Sequence, residues 1–235
     1  MPEYPDIELY LYALRPRIVG QPLQRVQVAS PLLVRSVAPP LDSAVRKPVL
    51  ALHRLGKRIV WTFEDELFSV FPLMIAGRFK WKPAGTKMPG KVGLAAFDFP
   101  NGTLIFTEAG SRRQASLYAV HGHAALAEHD PGGLDVFEAD AATFEERLRS
   151  ESHTLKRALT DPHLFSGIGN AYSDEILLAA RLSPLQLTSR VTSEEVRRLH
   201  SVAPDTLASW RDRLIAETGD RFPDKVTAFR EGMTA

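Results

Sequence analysis

His153-Thr154-Leu155-Lys156-Arg157-Ala158-Leu159-Thr160-Asp161, followed by Gly167-Ile168-Gly169-Asn170-Ala171-Tyr172-Ser173-Asp174-Glu175-Ile176-Leu177, is the stretch that decides the architecture of this 235-residue chain. Leu155 to Leu159 and Ala171 to Ala180 read as two helices joined by a Gly-x-Gly-Asn turn. The backbone of such a turn can approach a ligand closely. Its free N–H groups and the positive end of the following helix suit a phosphate. Asn170 adds a side-chain hydrogen bond, and Lys156 adds a point charge from the preceding helix. Taken alone the signal is moderate, because most glycine-rich turns before helices are only turns.

Downstream, Ser193 to Glu217 keeps the helical period. Upstream, Glu128 to Glu151 is acidic and carries Pro131-Gly132-Gly133. It reads as a linker followed by a short helix, Ala141 to Arg149. The chain therefore divides into residues 1–130, a connection over 131–150, and a helical region over 151–235.

Between Leu23 and Phe106 the pattern is one of short strands. Val26 to Val28, Leu32 to Val34, Val49 to His53, Arg58 to Phe63, Leu67 to Phe71, Arg78 to Trp81, Leu94 to Phe99 and Thr103 to Phe106 are rich in β-branched or aromatic residues. Turns separate them, with Pro100-Asn101-Gly102 placed as a hairpin. Strands at this spacing predict an antiparallel sandwich or flattened barrel. Asp6 to Arg17 precedes them as a helix with Asp6 as its N-cap, because Ile7, Tyr10, Leu11 and Leu14 recur at helical spacing. The fold class is α+β.

Composition narrows the function classes. The 44% hydrophobic and 24% charged content is ordinary for a globular protein. No run of eighteen apolar residues is present, and the acidic N-terminus is unlike a secretory signal. The absence of cysteine excludes disulfides and thiolate metal sites and fits a reducing cytoplasm. Net charge is only +1, yet from Arg15 to Trp61 nine basic residues face the single acid Asp42. Such a local excess can hold a polyanion or can simply be a solvated face.

The chain opens Met1-Pro2-Glu3-Tyr4-Pro5-Asp6-Ile7-Glu8. Removal of Met1 would leave a secondary amine on Pro2 beside the Glu3 carboxylate. An amine can attack a sugar or carbonyl carbon, and a neighbouring carboxyl can move the protons. By themselves these eight residues read more readily as a frayed, proline-rich terminus.

Together, however, these motifs resemble the formamidopyrimidine-DNA glycosylase/endonuclease VIII family of base-excision repair enzymes. The opening is similar to the family's M-P-E-x-P-E-x-E start, Gly56-Lys57 resembles its lysine loop, and Leu155 through Leu177 resembles its helix–two-turn–helix motif. They occur in the family's order from residue 2 to about residue 180.

The resemblance implies a bifunctional DNA glycosylase/AP lyase. Pro2 would attack C1′ of the damaged nucleotide, and Glu3 would act as general acid/base. Asp6, where many members carry glutamate, would support them, and Lys57 would bind phosphate beside the lesion. Lys156 and Asn170, with Gly169 and Tyr172 of the same motif, would hold DNA. Met74 or Ile75 would fill the gap left by the extruded base. Arg112 and Arg113 would probe the opposite strand, where Gln114 replaces the family's phenylalanine. Thr218-Gly219-Asp220 would cover the extruded base.

The family's four-cysteine zinc finger has no counterpart by Ala235, so the natural chain is expected to continue beyond this point. A finger-less member is the alternative. No metal or other cofactor is expected in residues 1–235, and zinc only with a finger. The implied partner is double-stranded DNA with damaged bases or abasic sites, met by a monomer in the bacterial cytoplasm at the nucleoid. A catalytically silent DNA-binding protein of the same fold is the second hypothesis, and a two-domain protein unrelated to DNA the third.

Overall fold

The computed structural model describes residues 1–110, 113–224, 226–227 and 229–233. Helix α1 spans Tyr4–Ile18. Asp6 serves it from inside the first turn and not as the N-cap, since its Oδ2 accepts the Glu3 N–H at 3.0 Å. That is the return half of a capping box, with Glu3 as the N-cap. Ile7, Leu9, Tyr10, Leu11, Ala13, Leu14 and Ile18 are all buried, so α1 is covered on most sides.

Eight strands follow: β1 (Arg25–Val28), β2 (Ala51–Leu55), β3 (Arg58–Thr62), β4 (Leu67–Pro72), β5 (Gly77–Lys82), β6 (Gly93–Phe99), β7 (Gly102–Glu108) and β8 (Tyr118–His121). They form two antiparallel sheets, ordered β1-β6-β7-β5 and β2-β3-β4-β8. Alternation assigns the faces. Ile59, Trp61 and Phe71 of the second sheet meet Phe79, Phe97 and Phe106 of the first in the main core. Val60, Phe68 and Val70 point the other way, onto Val120 and the short helix α2 (His123–Ala127) through Leu126. Strands covered on both faces read as continuous apolar runs, which is the pattern of β3 and β4.

Two departures from the sequence reading have local causes. Leu32 to Val34 is a 3₁₀ turn over Pro31–Leu33, because Pro31 has no N–H for a ladder and the Ser30 hydroxyl accepts the Leu32 N–H at 3.4 Å. Val34 keeps one bridge, to Leu117. In the other direction, β8 and α2 occupy residues that carried no strand or helix pattern long enough to assign.

The helical half comprises α3 (Ala141–Arg149), α4 (Leu155–Thr160), α5 (Asn170–Ala179) and α6 (Ser193–Thr218). Phe144, Leu155, Phe165, Tyr172, Ile176 and Leu199 belong to its own apolar cluster, which Tyr4 joins from α1. Among the described residues no helix is long and apolar enough to cross a membrane.

Tyr4 and Arg54 tie the halves together. The Tyr4 N–H donates to Gly167 O at 2.8 Å, its ring stacks on Phe137 at 4.6 Å, and its hydroxyl accepts from Arg211 at 3.2 Å. The Arg54 guanidinium covers the Tyr4 ring at 4.8 Å, donates to Ser166 Oγ and Gly56 O at 3.1 Å each, and pairs with Asp135. One arginine of β2 thus touches the Lys57 turn, the linker and the turn before α5.

Candidate active site

Glu3 is the centre of the site. It is 3% exposed, and its carboxylate accepts the N–H groups of Gly169 at 2.7 Å, Ala171 at 3.0 Å and Tyr172 at 3.1 Å. These are the donors that the first turn of α5 leaves without intrahelical partners, and the helix dipole favours a negative charge there. The turn expected to offer its N–H groups to a phosphate has therefore given three of them to the protein's own carboxylate. Gly169 contributes a backbone N–H and the absence of a side chain: a Cβ there would lie 2.5 Å from Glu3 Cδ. Burial pushes the Glu3 carboxyl above its ordinary value of 4.5, against the pull of these N–H donors and of the Lys57 charge.

Pro2 is buried and Met1, 41% exposed, lies over it. Burial holds the chain-terminal amine below 8.0, with the Glu3 charge opposing. While Met1 is present the Pro2 nitrogen is an amide and cannot act as a nucleophile. Lys57 enters from the turn between β2 and β3, where Gly56 has φ of 59°. Burial lowers its amine below 10.5, opposed by the Glu3 charge. Met1, Lys57, Met74, Thr160 and Gly167 help line a cavity of about 260 Å³ between the two halves.

Met74 and Ile75 lie in the turn between β4 and β5. Met74 takes φ of 54°, and Arg78 holds the turn by donating to the Ile75 and Gly77 carbonyls at 3.0 and 2.7 Å. Met74 borders the cavity, whereas Ile75 is 65% exposed. Asp6 is fully buried; besides the Glu3 N–H it accepts from Arg230 at 2.6 Å.

The helical half brings Asn170 to the surface at the first position of α5. Lys156 pairs with Asp174 at 2.8 Å, so its charge is shared with a carboxylate of the same motif. Tyr172, expected against DNA, is 0% exposed and packs near Trp210 at 6.1 Å; two residues past Asn170, about 200° round the helix, it faces the core. Arg113 is exposed and donates to Lys91 O at 2.8 Å, while Arg112 lies outside the described residues. Thr218-Gly219-Asp220 is at the far end of α1, where Arg17 donates to Asp220 O at 2.6 Å. At 1.5 Å per residue that is roughly 20 Å from Tyr4, too far to cover a base held over Pro2. Arg54, Arg78 and Arg230 were not singled out by sequence pattern. Arg54 and Arg230 act across the fold, whereas Arg78 braces the turn beside it.

Comparison with known proteins agrees with this geometry. The family model for the formamidopyrimidine-DNA glycosylase N-terminal domain matches residues 1–115, and that for the formamidopyrimidine-DNA glycosylase H2TH domain matches residues 133–210. The formamidopyrimidine-DNA glycosylase of Thermus thermophilus is 31% identical over 217 residues, covering 88% of this chain and 75% of its own. That of Exiguobacterium sibiricum is 29% identical, covering 88% and 77%. Among solved structures, MutM in complex with DNA containing carbocyclic 8-oxo-G superposes with a TM-score of 0.80 at 22% identity, over 88% of this chain and 79% of that one. The Lactococcus lactis Fpg bound to abasic-site DNA gives 0.82 at 22% identity, over 89% and 79%.

Proposed function

The chain belongs to the formamidopyrimidine-DNA glycosylase family, and from that premise we propose that it is a base-excision repair DNA glycosylase with AP lyase activity. Its substrate is double-stranded DNA carrying an oxidised base or an abasic site. It works as a monomer in the bacterial cytoplasm on nucleoid DNA.

Removal of Met1 frees the Pro2 secondary amine. That amine attacks C1′ of the extruded nucleotide, the base departs with the proton that the amine gives up, and Glu3 protonates the sugar ring oxygen as the C1′–O4′ bond breaks and the ring opens. The resulting iminium is cationic without a further proton, so it draws electrons from C2′ and allows β-elimination of the 3′ phosphate, then δ-elimination. Amine and carboxyl supply the chemistry, and no step calls on a cofactor. Lys57 binds the phosphate beside the lesion. Asn170 and Lys156 hold flanking phosphates, Met74 fills the vacated stack, and Arg113 approaches the opposite strand.

The observation that carries this reading is the clamp on Glu3: a carboxylate buried beside Pro2 and held by three N–H groups from the other half of the protein. Desolvating a carboxylate is costly, and here the clamp holds one fixed next to the residue whose nitrogen becomes the terminal amine. Burial pushes Glu3 up, so more of the molecules hold it as the protonated acid that the ring opening needs. Borohydride trapping on an abasic-site duplex tests the proposal. A covalent protein–DNA adduct is expected, and its absence with Met1-processed protein refutes the enzyme reading.

A further inference from the structure

Arg230 stands 224 positions from Asp6, beyond the end of α6, yet its guanidinium reaches Asp6 Oδ1 at 2.6 Å. The segment leading to it follows α1 backwards. Asp220 O accepts from Arg17 at the last turn, Phe222 lies 6.1 Å from the Tyr10 ring, and Val226 is buried in the sandwich core. Arg230 then arrives at the first turn, where Pro2 and Glu3 begin the helix.

Asp6 is 0% exposed, and a buried carboxylate stays charged only with a cation or donors against it. Arg230 supplies the cation. Held in this way, Asp6 fixes the Glu3 N–H and therefore the direction of the backbone on either side: the Pro2 nitrogen behind it and the Glu3 carboxylate ahead. The same guanidinium faces the second grip on Glu3. Tyr172 lies within electrostatic reach of Asp6, Arg230 and Glu3, and its own N–H holds the Glu3 carboxylate. The Tyr172 hydroxyl and Arg230 Nε are both buried, and the hydroxyl lies against the guanidinium, so Arg230 meets Asp6 and Tyr172 together.

We propose that Arg230 is a positioning residue for the Pro2–Glu3 pair, acting through Asp6, so that the segment after α6 takes part in setting up the reaction. The proposal rests on the roles given to Pro2 and Glu3 above.

The test uses the full, Met1-processed chain with Arg230→Gln and Arg230→Lys, measuring single-turnover borohydride trapping on an abasic-site duplex across pH, together with duplex affinity. Arg230→Gln slows trapping roughly ten- to hundredfold, the cost of a small misplacement of the nucleophile, and leaves affinity within about threefold of wild type. Arg230→Lys restores the charge and recovers most of the rate. The charged and titratable groups around Asp6 and the start of the chain are Glu3, Tyr10 of α1, Arg78 of β5, Lys57 and Tyr172 of α5. With the Arg230 charge gone and the Glu3 N–H still donating to it, the Asp6 carboxylate is uncompensated, protonation of the amine is favoured, and the limb of the pH profile that reports the amine moves to higher pH. The double variant Asp6→Asn/Arg230→Gln removes both charges. It returns that limb to its wild-type position while the rate stays low, because one amide oxygen cannot replace two carboxylate oxygens.

Wild-type trapping together with an unaltered rate and profile in Arg230→Gln overturns the inference. So does a slower rate with lowered thermal stability and no displacement of the limb, which is the signature of a merely structural pair. A double variant displaced as far as the single one overturns it too. A wild-type chain that never traps defeats the enzyme reading itself and is thereby told apart.

Discussion

Replacing Gly169 with alanine would put a methyl carbon 2.5 Å from Glu3 Cδ and 2.6 Å from Oε1. No flexible chain end is available to yield, because the carboxylate is pinned by N–H donors at 2.7 to 3.1 Å. The carboxylate must shift and lose one of those bonds. A hydrogen bond to a charged group contributes about 1.5–3 kcal/mol, and that is the loss in the arrangement that Glu3 needs when it transfers its proton. At about 1.4 kcal/mol per factor of ten, base excision slows roughly ten- to 150-fold. Glu3 meets only the extruded nucleotide, so duplex affinity, set along the flanking phosphates, stays within about threefold. Thermal unfolding falls by a few degrees, as overpacking by one methyl costs about 1–3 kcal/mol. The assay is single-turnover excision of an oxidised base, read beside duplex binding and a melting curve. A folded Gly169→Ala protein that excises within threefold of wild type would refute the argument that the α5 clamp sets Glu3 for chemistry.

The pH profile of trapping is bell-shaped, because the reactive form holds a proton on Glu3 and none on the Pro2 amine, and the limb that reports Glu3 lies above 4.5, since burial raises its carboxyl. Glu3→Gln takes away the proton donor, so the profile rises to a plateau as the amine loses its proton, at a much lower rate, and a Glu3 limb at 4.5 or below in the wild type would count against the buried carboxyl. Lys156→Ala weakens duplex binding and lowers the slope of log affinity against log salt by up to one, less if Asp174 keeps its partner neutralised, whereas Asn170→Ala weakens binding with the slope unchanged; both are read by titration at several salt concentrations. Arg54→Met strands Asp135 and frees Ser166, destabilising the protein by about 2–4 kcal/mol in urea unfolding, and a change under about 0.5 kcal/mol would show that Arg54 does not hold the halves together.

Most elements were legible because their signals are local. The α6 helix starts where Thr192 and Glu195 form a reciprocal capping box, and the Phe99–Gly102 pair closes the hairpin expected at Pro100-Asn101-Gly102. The partly misread elements failed for local reasons too: Pro31 turned a β-rich triplet into a 3₁₀ turn, and β8 is only four residues long.

The site was legible as residues but not as geometry. Pro2, Glu3 and Lys57 were picked out by resemblance, yet nothing near Glu3 in the chain foretells that its carboxylate is held from 166 to 169 positions away. Phosphate binding by free N–H groups was a sound inference from the Gly-x-Gly-Asn turn considered alone. The fold filled that position with Glu3 instead. Tyr172 was placed with Asn170 because the two are near in sequence, although helical geometry sends them to different surroundings. Arg230 follows the last helix in a stretch without periodicity, and only the path of the tail along α1 brings it to Asp6.

The central claim is that the Pro2 nitrogen, freed by loss of Met1, is the nucleophile. Borohydride trapping on an abasic-site duplex, with the adduct mapped by mass spectrometry, should be run side by side on the Met1-processed chain and on one that keeps Met1. The processed chain is predicted to carry the DNA remnant on Pro2, and the Met1-retaining chain to bind the duplex without trapping. An adduct of equal yield on the Met1-retaining chain, or one mapped to Lys57 in the processed chain, would contradict the account.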